Sequence, residues 1–291
     1  MKLYTGYDDG SIPTELLKSY IEKKLFYHKI FYTLNSYDHE GTGFIKENNL
    51  KLFFINQEEL TTVFNKVEKC NLTYFYISHL CAYTLFMLDP LKIRSVNITD
   101  IMRCTLLDKL YQLKKPNSVN DINNWLTFKY VNEHYEQFKI ITQGTFVMNS
   151  FALGSLAYFK ANKAFLARFD EISLNGTEGN DYERYVNLIM AYHSLSNVQS
   201  LKYFFDILDT NNDGYVCEWD IKYFYKENQA LYKNCQKFED FVNEIFDIVI
   251  NNSPSMRKFT LLDLIECRQG DFIIKTLIDT DSFKEFQSLD I

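Results

Sequence analysis

Asp209, Asn211, Asp213 and Asp220 carry side-chain oxygens at the first, third, fifth and twelfth places of one polar stretch, Asp209 to Asp220. With the backbone carbonyl of Tyr215 at the seventh place, the donors are all oxygen. That chemistry suits a hard divalent cation, calcium first and magnesium as its competitor. Gly214 fills the sixth place, where the chain turns sharply and a Cβ obstructs. Val216, at the eighth, is set to pair like a strand residue with a partner loop. The twelfth residue is aspartate rather than glutamate, so it reaches less easily for two-oxygen coordination. Cys217 at the ninth place supports a bridging water poorly. One calcium per chain is expected, held no tighter than the roughly micromolar-to-millimolar range.

Two helices must hold this loop. Leu201, Phe204, Phe205 and Leu208 recur at helical spacing before it, and Ile221, Phe224 and Tyr225 after it, so each flank has one apolar face. Loop and flanks together read as an EF-hand helix-loop-helix. One such unit cannot bury its own apolar face, and others are present. Asp38 to Asn49 has Gly43 at the sixth place and Ile45 at the eighth, but Asn49 offers one neutral oxygen at the twelfth. Asp89 to Asp100 is acidic only at its ends, with Arg94 in the glycine place. These two loops are expected to be metal-free and to pair with each other. Weaker turns of the same kind begin near 139, 172 and 252. Lys139 and Ile141 stand at ligand places in the first of these, and Arg257 and Lys258 argue against metal in the last.

The N-terminal region is read as two helices. Pro13 opens one with Leu16, Leu17, Tyr20, Ile21 and Leu25 on its inner face, and a second runs through Ile30, Phe31 and Leu34. Ile77 to Leu88 is an apolar helix. Residues 114–124 are polar and contain Lys115-Pro116-Asn117-Ser118. This divides the chain into an N-terminal hand pair over 13–115, a linker over 116–124 and a C-terminal region over 125–291 that carries loop 209–220. The fold class expected is all-α, an elongated array of paired EF-hand-like units, mostly degenerate.

Ten glycines and four prolines in 291 residues favour helix over sheet. A net charge of −7 argues against sequence-independent nucleic-acid binding. The six cysteines have no C-x-x-C spacing, so neither a zinc ribbon nor a redox pair is indicated. No signal-peptide pattern or membrane-length apolar run is read, which implies a cytoplasmic, reducing setting. There is no phosphate-binding glycine loop, H-E-x-x-H or G-x-S-x-G. His28, His39, His79, His134 and His193 are scattered. No catalytic residue is assigned.

Several runs carry a specific resemblance. Tyr76-Ile77 through Phe86-Met87-Leu88-Asp89-Pro90-Leu91, then Ile98-Thr99-Asp100-Ile101 and Leu106-Leu107-Asp108, form one. Ser200 to Asp209 followed by Ile221-Lys222-Tyr223-Phe224-Tyr225 forms another. Glu244-Ile245-Phe246-Asp247, Leu262-Asp263-Leu264, Gln269-Gly270-Asp271 and Leu277-Ile278-Asp279 complete the series. In this order they resemble the B-double-prime regulatory subunits of protein phosphatase 2A, most of all the short gamma-type branch and related plant proteins of a microtubule-organising phosphatase complex. The resemblance runs from about Tyr27 to Phe283, although 138–150 lacks the acidic loop of many relatives. It implies a non-catalytic regulatory subunit that binds the phosphatase scaffold and catalytic subunits and presents phosphoprotein substrates. It also implies a cytoplasmic place, at the centrosome or other microtubule-organising structures. The competing readings are a stand-alone EF-hand calcium sensor and a cytoskeletal scaffold without a phosphatase partner. Few methionines and a single well-formed loop weigh against the sensor.

Overall fold

The computed structural model describes residues 13–114, 121, 123–156, 159–174, 180–232, 235–250 and 257–288. The chain divides into two compact units, 1–133 and 134–291. The first contains α1 (Thr14–Tyr37), β1 (Phe44–Lys46), α2 (Glu47–Ile55), a 3-10 turn (Glu58–Leu60), α3 (Thr61–Lys69), α4 (Thr73–Leu88), β2 (Ser95–Asn97), α5 (Ile98–Arg103) and α6 (Leu106–Gln112). The division falls within α7 (Phe128–Ile141). The second unit continues with α8 (Ser150–Gly154), α9 (Lys163–Leu174), α10 (Asp181–His193), α11 (Val198–Leu208), β3 (Val216–Cys217) and α12 (Glu218–Gln229). It ends with α13 (Phe238–Val249), β4 (Lys258–Phe259), α14 (Leu261–Glu266), α15 (Gly270–Ile278) and α16 (Thr280–Ser288). Among the described residues the architecture is therefore all-α apart from four very short strands.

The division lies beyond the polar stretch at 116–124, most of which is outside the described residues. Residues 125–133 go with the first unit for a packing reason. The ring of Trp125 stacks on Tyr83 at 3.8 Å. The buried Tyr76 hydroxyl donates to the Leu126 carbonyl at 2.5 Å. Burial pushes that hydroxyl's pKa far up, so it stays a donor.

Within the first unit, the loops at Asp38 and Asp89 pair as expected. β1 and β2 are antiparallel with Ile45 opposite Val96, and both side chains are fully buried. α4 is apolar on nearly every face and is enclosed, with Tyr76, Leu80 and Cys81 at zero exposure. Phe53 and Phe54 of α2 are as deeply buried, each worth about 1.5–3 kcal/mol of hydrophobic stabilisation.

α1 departs from expectation in two ways. It is one helix of 24 residues rather than two, because no glycine or proline interrupts 14–37. Its core contacts come from Phe26, Ile30 and Leu34, which lie against α2, α5 and α6. Leu16, Leu17, Tyr20, Ile21 and Leu25, expected on an inner face, are between 44% and 64% exposed. A straight helix of this length is about 36 Å long, and its first half precedes the packed part of the unit.

In the second unit, β3 pairs with β4 and sets Val216 opposite Phe259, both buried. The apolar residues read on either side of loop 209–220 are buried as their spacing requires: Leu201, Phe204, Phe205 and Leu208 on α11, and Ile221, Phe224 and Tyr225 on α12. A buried amide pair ties α12 to α15. Asn162 donates to Asn228 Oδ1 at 3.2 Å and to the Leu277 carbonyl at 2.6 Å.

Candidate metal centre

Three loops begin with the same aspartate device. Asp38 accepts from the N–H groups of Thr42 and Gly43 at 3.1 and 2.6 Å. Asp89 accepts from Ile93 and Arg94 at 3.1 and 2.6 Å. Asp209 accepts from Asp213 and Gly214 at 3.2 and 2.8 Å. A carboxylate that follows a helix and gathers the N–H groups four and five residues on winds the loop through hydrogen bonds of its own. Burial pushes the Asp38 carboxyl's pKa up, but those N–H groups outweigh it and hold the carboxyl below its usual range. The turn then needs a left-handed residue, which Gly43 and Gly214 supply at φ +78° and +83°. Arg94 takes the same conformation at φ +56°.

What separates the loops is the fate of the other donor places. In the first, Glu40 at the third place is paired with Lys46 at 2.6 Å. Asn49 at the twelfth donates its amide to the Tyr37 carbonyl at 2.8 Å. In the second, Leu91 and Ile93 replace oxygen donors at the third and fifth places.

Loop 209–220 keeps oxygen at its first, third, fifth, seventh and twelfth places, with Cys217 at the ninth. Asn211 accepts from the Asp213 N–H at 3.1 Å and donates to Asp213 Oδ2 at 3.0 Å. Asp213 Oδ1 accepts from the Tyr215 N–H at 2.9 Å. Asp209, Asn211, Asp213 and the Tyr215 peptide are thus brought together. Asp220 is not turned to them in the same way. Its Oδ1 accepts from the N–H and hydroxyl of Thr210, and its Oδ2 from the Cys217 N–H at 2.9 Å. Among the described residues no three His, Cys, Asp or Glu side chains stand together as a metal site. The donor types and the wound turn fit a hard cation, and Asp220 differs from the other donors in accepting from Thr210 and Cys217 rather than within the turn. Burial pushes the Cys217 thiol's pKa up and its contact with Asp220 adds to this, so it remains a thiol.

Residues not singled out as donors complete the surroundings. Arg168, 4% exposed, donates to the carbonyls of Ile207 and Asp209 at 3.4 and 3.2 Å. It thereby satisfies carbonyls left open at the end of α11. Lys258 lies 3.6 Å over the Tyr215 ring. An arginine–glutamate tie appears in each hand pair. Arg94, in the sixth place of its loop, bonds Glu47, in the tenth place of the partner loop. Arg257 bonds Glu218 at 2.7 Å between the same two places of the second pair. Glu47 also pairs with Lys51 at 2.6 Å, and its carboxyl is held down to about 2 chiefly by Arg94. The repeated places were visible in the sequence. The direction each arginine takes was not.

Fold and loop together define an all-α protein of paired EF-hand-type units, in which loop 209–220 carries oxygen at its first, third, fifth, seventh and twelfth places. Comparison with known proteins adds the next step. No protein-family profile matches the chain. The chain is 26% identical over 289 residues to the Homo sapiens gamma-type B'' regulatory subunit of serine/threonine-protein phosphatase 2A, covering 96% of this chain and 62% of the relative. The Danio rerio protein of that name is likewise 26% identical, over 97% of this chain and 63% of its own length. TON2 of Arabidopsis thaliana, named as a probable B'' regulatory subunit of the same phosphatase, is 28% identical over 35% of this chain and 22% of its own. The resemblance carried by the sequence motifs therefore extends along nearly the whole chain, which spans somewhat under two thirds of the curated relatives' length. A solved structure described as a PP2A PR70 holoenzyme, with "diCa" in its description, has the same fold. Its TM-score is 0.75 at 16% identity, over 87% of this chain and 96% of that one.

Proposed function

We propose that this chain is a non-catalytic regulatory subunit of a protein phosphatase 2A-type serine/threonine phosphatase. In this reading it binds the scaffold and catalytic subunits and selects phosphoproteins for them. The observation that carries the reading is the similarity to gamma-type B'' regulatory subunits over 96% of the chain. The physical picture agrees: an array of packed helix pairs offers docking surface, and holding a substrate raises its effective concentration to about millimolar for short tethers. Calcium, with magnesium competing, binds once, at Asp209, Asn211, Asp213, the Tyr215 carbonyl and Asp220. When bound it supplies a fixed charge that draws the loop's oxygens together. The chain's own part is to hold α11 and α12 at the loop's ends through Asp209, Arg168 and the β3–β4 pairing. A cytoplasmic place at the centrosome or other microtubule-organising structures rests on the resemblance to the plant relatives.

The test is reconstitution of the full chain with scaffold and catalytic subunits, assayed on a phosphoprotein and on a small phosphoester, in calcium and in chelator. Co-elution with a changed rate on the phosphoprotein alone is expected. Failure to co-elute refutes the regulatory reading. Co-elution with equal rates in calcium and chelator leaves that reading and removes the calcium dependence.

A further inference from the structure

We infer that Thr210 sets the cation affinity of loop 209–220 by holding the Asp220 carboxylate in a closed arrangement that competes with a cation. This rests on the calcium reading of the same loop. Asp220 is 2% exposed, and a carboxylate so far from water must be satisfied by protein donors. Thr210 supplies two of them, its N–H at 3.0 Å and its hydroxyl, both on Oδ1. The third is the Cys217 N–H on Oδ2.

The partner loop shows why the second-place residue matters. There the twelfth-place Asp263 receives both the N–H and the hydroxyl of the ninth-place Thr260, each at 2.7 Å. In loop 209–220 the ninth place is Cys217, whose thiol is a weak donor. The hydroxyl that satisfies the carboxylate comes instead from Thr210, ten residues back. It joins the second residue of the loop to the twelfth.

This closure competes with the ion. A cation that takes Oδ1 of Asp220 competes with the two Thr210 hydrogen bonds that hold it. The apparent affinity then falls by the fraction of molecules in which Asp220 is released. The N–H of Thr210 cannot be removed by mutation, but the hydroxyl can. Valine has nearly the shape of threonine without the donor. A hydrogen bond to a charged group corresponds to a factor of about ten to a hundred, so Thr210→Val is expected to bind calcium at least about tenfold more tightly. Thr210→Ser keeps the hydroxyl and is expected to match the unmodified chain.

The experiment is calorimetric titration of the full chain with calcium chloride, comparing the unmodified protein, Thr210→Val, Thr210→Ser and Asp209→Ala. Thermal unfolding in chelator serves as the metal-free readout. Thr210→Val should melt slightly earlier than the unmodified protein in chelator, because the closed loop has lost a bond. In calcium it should gain more. If Thr210→Val folds poorly, Thr210→Ala makes the same comparison. Equal or weaker binding by the hydroxyl-free variant, with Asp209→Ala still abolishing binding, overturns the closure and leaves the calcium site standing. No binding by any of the four overturns the calcium site and the closure with it. Binding detected in Thr210→Val alone supports both.

Discussion

Replacing Glu47 by glutamine removes the charge at the centre of the tie between the first two loops and keeps the side chain's shape. The structure sets the size of the effect. Glu47 is 14% exposed and its carboxyl is held down from 4.5 to about 2, first by the Arg94 hydrogen bond, against burial, and then by Lys51. At about 1.36 kcal/mol per pKa unit, that drop puts a ceiling of about 3.4 kcal/mol on the stabilisation. Arg94 and Lys51 are 36% and 34% exposed, and solvent screening brings the expected loss in Glu47→Gln to about 1–2 kcal/mol at neutral pH. The pH dependence has a definite sign. A carboxyl whose pKa is depressed on folding contributes fully above its unfolded value, here 4.5, and loses that contribution as pH falls through about 2. The stability gap between the two proteins should therefore be constant above about pH 5.5 and narrow steadily below it. Urea unfolding of both proteins at a series of pH values measures this. A gap below about 0.3 kcal/mol at pH 7, or one that does not change between pH 6 and 3, would refute the reasoning.

Gly270→Ala should cost about 1–3 kcal/mol, because a Cβ there meets the Leu264 carbonyl oxygen at 2.7 Å and Leu201 Cδ2 at 2.9 Å. A lower denaturant midpoint at unchanged m-value is the expected result, and a neutral or stabilised variant contradicts it. Asp209→Ala should abolish calcium binding and still unfold cooperatively in chelator, at a cost of about 1–3 kcal/mol for the two turn N–H groups left without their acceptor. A calcium-free Asp209→Ala chain without a cooperative melt would make this aspartate a folding requirement. His134 has its pKa lowered to about 4, first by burial and then by His193. Folding therefore favours neutral imidazole, and the associated stability is complete above the unfolded value of 6.5 and lost as pH falls towards 4. Melting temperature followed from pH 7 to 4.5 should fall less steeply in His134→Gln than in the unmodified chain, and parallel curves would exclude this histidine as the cause.

The loops were legible because their signals are local and steric. A glycine that must turn, an aliphatic residue two places on and an aspartate before both identify Asp38 and Asp209 as loop starts whatever packs around them, and Asp89 keeps the aspartate and the aliphatic residue. The pairing of Ile45 with Val96 followed from the need of one hand for another. Helical spacing identified the buried faces of α11 and α12, but spacing alone cannot say whether an apolar face meets anything. The first half of α1 has the pattern of a core helix and lies in solvent. Charge could be read for Arg94, in the glycine place of a loop expected to be metal-free, but not reach: it crosses to Glu47 of the other loop. Asp220 shows the same limit at the scale of one torsion. Its place in the loop marks it as a ligand, while its partners depend on a threonine ten residues away.

The arginine–glutamate ties bear on what an ion can do mechanically. In the first pair the tie and the Ile45–Val96 contact fasten the two loops to each other at two points. In the second, Arg257–Glu218 is more exposed, at 46% and 36%, and weak taken singly. It nonetheless works beside the buried contact of Val216 and Phe259. A cation taken up by loop 209–220 therefore enters a joint whose halves are already stapled. Such a cation would damp the joint rather than swing it. That favours changes in amide-exchange rate along α11 and α12 over any large opening of the pair.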